Sequence, residues 1–301
     1  MYFDIQVNGY AGIDFNQNTL SLEDFAFACE KLKADGVSGI LATLITADFA
    51  DMLIRIRNIV HFRNESQIVA EMVKGIHLEG PFISAEDGYR GAHPKKHVLK
   101  ASLRKMCLLL EACEGLLKIV TLAPENDSEC KVIKYLHDNK VVISAGHCNP
   151  SLEQLNAAIK AGLSMFTHLG NGCPQQMHRH DNIIQRVLSL KDDLWLCFIA
   201  DGHHIPFWAL KNYIALVGTE KVIITTDAMA AAGAKEGVYT LGEIQLEVSE
   251  DRVVREPGKP NFAGSAIDMK SSEMNLAIEL GLTPSQLYQI LCANPLKALN
   301  A

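Results

Sequence analysis

Residues Val141 to Asn171 read VVISAGHCNPSLEQLNAAIKAGLSMFTHLGN. An apolar run, Val141 to Gly146, stops on His147, and a second, Leu163 to Thr167, stops on His168. Neither run alternates strictly, as expected of strands buried on both faces. Between them Leu152 to Ala161 carries a helical pattern. Ser151 opens it with Gln154 three residues on, the spacing of a capping box. The unit is strand, helix, strand, and each strand ends on a histidine.

The same alternation runs outward in both directions. Further strand candidates are Phe3 to Asn8, Gly39 to Thr46, Val73 to Glu79, Leu117 to Leu122, Leu194 to Ala200 and Val222 to Thr226. Helical patterns cover Leu22 to Ala34, where Ser21 precedes Asp24, as well as Cys130 to Asn139 and Pro206 to Val217. Eight strands with helices between them predict a closed TIM-type (β/α)8 barrel rather than an open doubly wound sheet. A length of 301 residues suits that architecture. No repeat, low-complexity tract or linker interrupts it, so the expected organisation is one domain over 1–301. Val238 to Phe262 breaks the rhythm, with strand-like halves around Ser249-Glu250-Asp251, and predicts a β-hairpin inserted after the eighth strand.

Composition narrows the class. Hydrophobic residues make up 48% and charged residues 21%, values that suit a soluble enzyme with a sizeable core. The net charge of -7 speaks against a nucleic-acid partner. No apolar run approaches the roughly 20 residues of a membrane span, and Met1 to Asp4 opens no signal peptide. The eight cysteines form no CxxC pair, which predicts reduced thiols and a cytoplasmic location.

In such barrels the reacting groups sit where the strands stop. Here the strands stop on Gln6-Val7-Asn8, His77-Leu78-Glu79, Gly146-His147, Thr167-His168, Ala200-Asp201-Gly202-His203-His204 and Thr226-Asp227. Two imidazoles and a carboxylate are a usual ligand set for a catalytic divalent metal, with a position left for water. A carboxylate on the last strand, Asp227, can then move the proton of that water. Cys148 follows His147 directly, on the opposite face of a strand, and is no nucleophile–base pair with it. No GxSxG elbow, Walker loop or GxGxxG is present.

HLEGPF, SAGH, THLGN, ADGHH, TTDA and FAGSAIDM, in this order, resemble N-acetylglucosamine-6-phosphate deacetylase of the amidohydrolase superfamily. The match runs from the first strand to NPLKALN. The resemblance implies that Glu79, His147 and His168 hold the metal, that Asp227 is the general base, and that His93 polarises the acetyl carbonyl. It places phosphate contacts on Asn171, Gly172 (through its backbone amide), Arg179 and His204, with the arginine supplied across a homodimer interface. Gln6-Val7-Asn8 stands where many relatives carry a metal-binding HxH, which implies one metal rather than two. That metal is expected to be Zn2+, with Fe2+ accepting the same ligands. The chain starts almost on the first strand and stops after NPLKALN, which implies that the family's small β-sandwich segments are absent. Gly172 and Cys173 also replace the alanine and methionine expected there.

Blander readings stand beside these. Asp227 could cap a turn, His93 and Arg179 could be plain surface, and His203 could pack or cap. Two other functions stay open: deacetylation of a different N-acetylated amino sugar, and a catalytically silent sugar-phosphate binder.

Overall fold

Apolar runs flanked by capped helices form eight parallel strands that pair in sequence order. They are β1 Tyr2–Val7, β2 Val37–Ile45, β3 Val73–Glu79, β4 Leu117–Leu122, β5 Val142–Ala145, β6 Leu163–Phe166, β7 Trp195–Phe198 and β8 Val222–Ile224. The structure, a computed structural model, describes residues 1–258 and 262–300. Every strand foreseen in the sequence is present within two residues of its expected start and end. Ser21 accepts from Asp24 N, and Ser151 with Gln154 closes a full capping box. Among the described residues no helix is long and apolar enough to cross a membrane, and all eight cysteines are free.

The eight strands close into a barrel along an unusual seam. β1 and β8 share no ladder; one isolated bridge, Val7 to Ala228, joins them beyond the regular end of β8. Asn8 N donates to Ala228 O at 2.7 Å. Lower down, the buried Asp4 carboxylate accepts from the hydroxyls of Thr225 and Thr226 at 2.6 and 2.5 Å and from Gln6 N at 3.2 Å. A side chain therefore fastens the two strands where the backbone does not.

Alternate side chains of each strand point into the barrel. The inner layer at the N-terminal end is apolar, with Phe3, Ile5, Leu41, Ile119, Met165 and Ile223 in one cluster that Ala298 covers. Two residues further along the strands the interior turns polar. His77 Nδ1 donates to Ile5 O at 2.9 Å, so the neutral ring accepts at Nε2 from Thr121 at 2.7 Å. Thr121 then accepts from Thr167 at 2.8 Å, and Thr167 from Ser144 at 2.6 Å. This buried ring of hydroxyls is the floor of the barrel mouth.

After β8 the chain forms a three-stranded meander: β9 Gly237–Leu241, β10 Ile244–Val248 and β11 Val254–Arg255. The hairpin foreseen around Ser249-Glu250-Asp251 is present as the antiparallel pair β10–β11, where Val248 faces Val254, and a second hairpin that the sequence reading did not foresee, β9–β10, precedes it. The turn of β9–β10 is at Gly242-Glu243, because Leu241 pairs with Ile244 and Gly242 takes φ 60°, as a two-residue turn requires. Residues 259–261 of the foreseen hairpin stretch, and the last residue of the 1–301 span, lie outside the described residues.

Candidate active site

β3 carries Glu79 as its last residue, while His147, His168 and Asp227 lie two or three residues past β5, β6 and β8. All four are at least nine-tenths buried. His147, His168 and Asp227 adopt φ of 50°, 33° and 51°, in the left-handed region that non-glycine residues rarely enter. That backbone turns each side chain over the polar floor.

There Glu79 Oε1 lies 3.1 Å from His147 Nε2 and 3.0 Å from His168 Nε2, and the two nitrogens are 3.1 Å apart. His147 Nδ1 faces the carbonyl of Tyr89 at 3.0 Å, so the neutral ring donates there and turns a lone pair toward Glu79. Burial pushes the Glu79 carboxyl up, but its contacts with the two histidines outweigh burial and hold it well below the usual range. Contacts this short between a carboxylate and two imidazole nitrogens need a proton or a cation among them, since bare lone pairs would repel one another. The triangle fits one small divalent ion, whose tetrahedral ligand atoms stand roughly 3.3 Å apart. Glu79, His147 and His168 form the one such cluster among the described residues.

Gln6 and Asn8 carry no role in the sequence reading beyond being poor metal ligands, yet both reach this centre. A register irregularity between Asp4 and Val7 turns them into the mouth. Gln6 Nε2 donates to Glu79 Oε1 at 3.1 Å and to Asp227 Oδ1 at 3.0 Å, and Asn8 Nδ2 donates to the same Asp227 oxygen at 2.7 Å. Burial first, and the Glu79 charge second, push Asp227 up to about 8. The two carboxyls are thus driven in opposite directions. Cys148 is fully enclosed, and burial pushes its thiol well above the usual value, as a silent core residue requires.

His93 is 4% exposed, on the loop after β3, with Nε2 3.3 Å from His147 Nε2 and a buried Nδ1 that has no partner among the described residues. Arg90 holds this loop by donating to His93 O. Gly91 and Gly172, both at φ 60°, lie against the His147 imidazole so closely that a Cβ on either would come within 3.0 Å of the ring.

These groups line a cavity of about 790 Å³. Asn171, Gly172 and His204 line it as well, and so does His203, which the sequence reading set aside. Asp201 fixes His204: Oδ2 accepts from Nδ1 at 2.6 Å, and Oδ1 accepts from the backbone N–H groups of His203 and His204. The bond at Nδ1 fixes the ring at the cavity wall and leaves His204 Nε2 available to a ligand. Asn171 Nδ2 is buried and has no partner among the described residues. Arg179 is exposed and is not among the residues lining this cavity.

No family model matches the chain. N-acetylglucosamine-6-phosphate deacetylase of Bacillus subtilis is 31% identical over 298 residues, 98% of this chain and 74% of the relative. N-acetylgalactosamine-6-phosphate deacetylase of Escherichia coli O157:H7 is 29% identical over 99% of this chain and 77% of that protein. The structure of a mutant N-acetyl-D-glucosamine-6-phosphate deacetylase from Mycobacterium smegmatis, in complex with N-acetyl-D-glucosamine-6-phosphate, superposes with a TM-score of 0.90 at 30% identity, covering 99% of this chain and 77% of the other. Barrel, strand-end residues and full-length similarity agree, and the chain belongs to the N-acetylglucosamine-6-phosphate deacetylase family.

Proposed function

We propose that the protein hydrolyses N-acetylglucosamine 6-phosphate to glucosamine 6-phosphate and acetate. The observation that carries this reading is the meeting of the Glu79, His147 and His168 ligand atoms beside Asp227 in one cavity. Glu79, His147 and His168 would hold one divalent ion, Zn2+ on this reading, which supplies Lewis acidity toward the acyl oxygen and toward water. Asp227 takes a proton from the attacking water and passes it to the amine as the C–N bond breaks. The amides of Gln6 and Asn8 occupy its Oδ1 and leave Oδ2 for that transfer. His93 donates to the acyl oxygen from the opposite side. The Asn171 side chain, the Gly172 amide and His204 receive the 6-phosphate, and Arg179 serves the site of a second copy in a homodimer. Cytoplasmic metabolism of amino sugars is the matching setting.

A second reading has an observation behind it. Two relatives, 29% and 31% identical, are N-acetylgalactosamine-6-phosphate deacetylases. The two sugars differ only in the configuration at C4. Acetate release by the metal-replete protein should be compared on both phosphates and on unphosphorylated N-acetylglucosamine. The proposal expects the highest kcat/KM on N-acetylglucosamine 6-phosphate. A preference for the galactosamine compound would move the assignment to that sugar, and no acetate from any of them would leave only a silent binder.

A further inference from the structure

The cavity has two apolar flanks. Met177 and Ile184 lie on one, packed against the main core and continuous with the loop that carries Asn171 and Gly172. The other consists of Ile45, Leu241 and Ala263, with Ala92 packed against them in a separate cluster built largely by the meander.

Three of the four members of this second flank adjoin a reacting group, and Leu241 closes the flank between them and the meander. Ile45 is the register partner of Glu79 across β2 and β3. Ala92 precedes His93. Ala263 leads into Gly264 and Ser265, and Ser265 N donates to Asp227 O at 2.8 Å. An acyl carbon attacked at this centre lies between the metal ligands, His93 and Asp227. Its oxygen lies toward His93 and the side where a metal held by Glu79, His147 and His168 would polarise it, and its nitrogen leaves toward the sugar, on the side of the phosphate loop. The remaining substituent, the acyl chain, faces this flank.

We infer that Ile45, Leu241 and Ala263 form the acyl pocket and that Leu241, at the turn of the meander, limits the chain to acetyl; this rests on the deacetylase reading. The wall is built to stay in place. Leu241 is 4% exposed, and its neighbours on either side are tied to one buried carboxylate. Asp14 Oδ2 accepts from Thr240 Oγ1 at 3.1 Å and from Gly242 N at 2.8 Å, and Gln17 Nε2 donates to Gly242 O at 2.6 Å. Glu243 pairs with Lys96 at 2.8 Å, which links the same turn to the loop bearing His93. A longer chain cannot push Leu241 aside without breaking these contacts, so pocket depth is set by the meander rather than by the barrel.

The test is a series of N-formyl, N-acetyl, N-propionyl and N-butyryl glucosamine 6-phosphates, assayed with wild type, Leu241→Ala, Leu241→Val and Leu241→Phe. Within each protein the ratio of kcat/KM between two substrates is independent of the folded fraction. Wild type should lose on the order of tenfold for each methylene beyond acetyl. Leu241→Ala, and more weakly Leu241→Val, should raise the butyryl-to-acetyl ratio, by about tenfold for alanine. Leu241→Phe should move the preference toward formyl. A wild type that deacetylates while all three variants keep its ratios within twofold overturns the pocket alone. A wild type that releases no acid from any member overturns the deacetylase reading and the pocket together.

Discussion

His147, His168 and Asp227 are three of nine non-glycine residues with positive φ among the described residues. Left-handed backbone costs an L-residue roughly 1–2 kcal/mol, and it persists where the surroundings over-determine it. Here it puts a side chain across the mouth at the point where a strand would have carried it past. Asparagine tolerates that backbone, so Asp227→Asn should keep its shape and its metal. It should lower turnover by roughly 10²–10⁴, the usual contribution of a positioned acid or base. Metal content by elemental analysis and a single turnover assay check both halves, and near-normal turnover removes Asp227 from the mechanism. Glu79→Ala takes the only negative charge from the proposed ligand triangle and should lose metal and activity together. Stoichiometric metal at native affinity in that variant would show the ligand set to be wrong.

At the scale of elements the barrel seam is the point to probe. Asp4 ties β1 to the end of β8 through two threonine hydroxyls, and replacing it with asparagine turns an amide N–H toward those donors. Burial pushes the Asp4 carboxyl from 3.8 up to about 6, against the hydrogen bonds that favour its charge. The folded protein therefore binds this proton more tightly than the unfolded chain does. The contribution of Asp4 to stability is largest below pH 4 and falls as pH rises through 6. A shift of roughly two pH units corresponds to on the order of 3 kcal/mol. Urea unfolding of wild type and Asp4→Asn at pH 4 and pH 7, with other titrations cancelling between the two, should show the variant's deficit shrinking toward neutrality. A deficit that grows with pH would mean that the hydrogen bonds, not burial, control this group.

For the whole molecule the open site is the decisive feature. A sugar phosphate carries close to two negative charges, and a guanidinium can meet it with paired hydrogen bonds. Arg179, eleven residues beyond His168, stands exposed outside its own cavity. Arg179→Ala should raise KM for the phosphorylated sugar by about 10- to 100-fold, the worth of a charge-assisted contact, and spare the unphosphorylated one. Co-expressing Arg179→Ala with Asp227→Asn distinguishes the source of the arginine. In a dimer that exchanges it, the mixed species contains one site with both residues intact, and activity reappears. If each chain supplies its own arginine, no mixed site is complete and activity stays lost.

The barrel was legible in the sequence because burial on two faces stamps each strand locally, and Glu79, His147, His168 and Asp227 stood out because strands of that kind should not end on charge. The caps at Ser21 and Ser151 were equally local. Other features depend on partners far along the chain. Gln6 meets Asp227 across 221 residues, and a register irregularity in β1 decides that it points inward at all. The hydroxyl floor, the Asp4 seam and the Leu241 wall likewise join segments that composition does not encode. Local periodicity records which face of an element is buried; what each buried polar atom meets there is decided only when the barrel closes and every donor must find its acceptor.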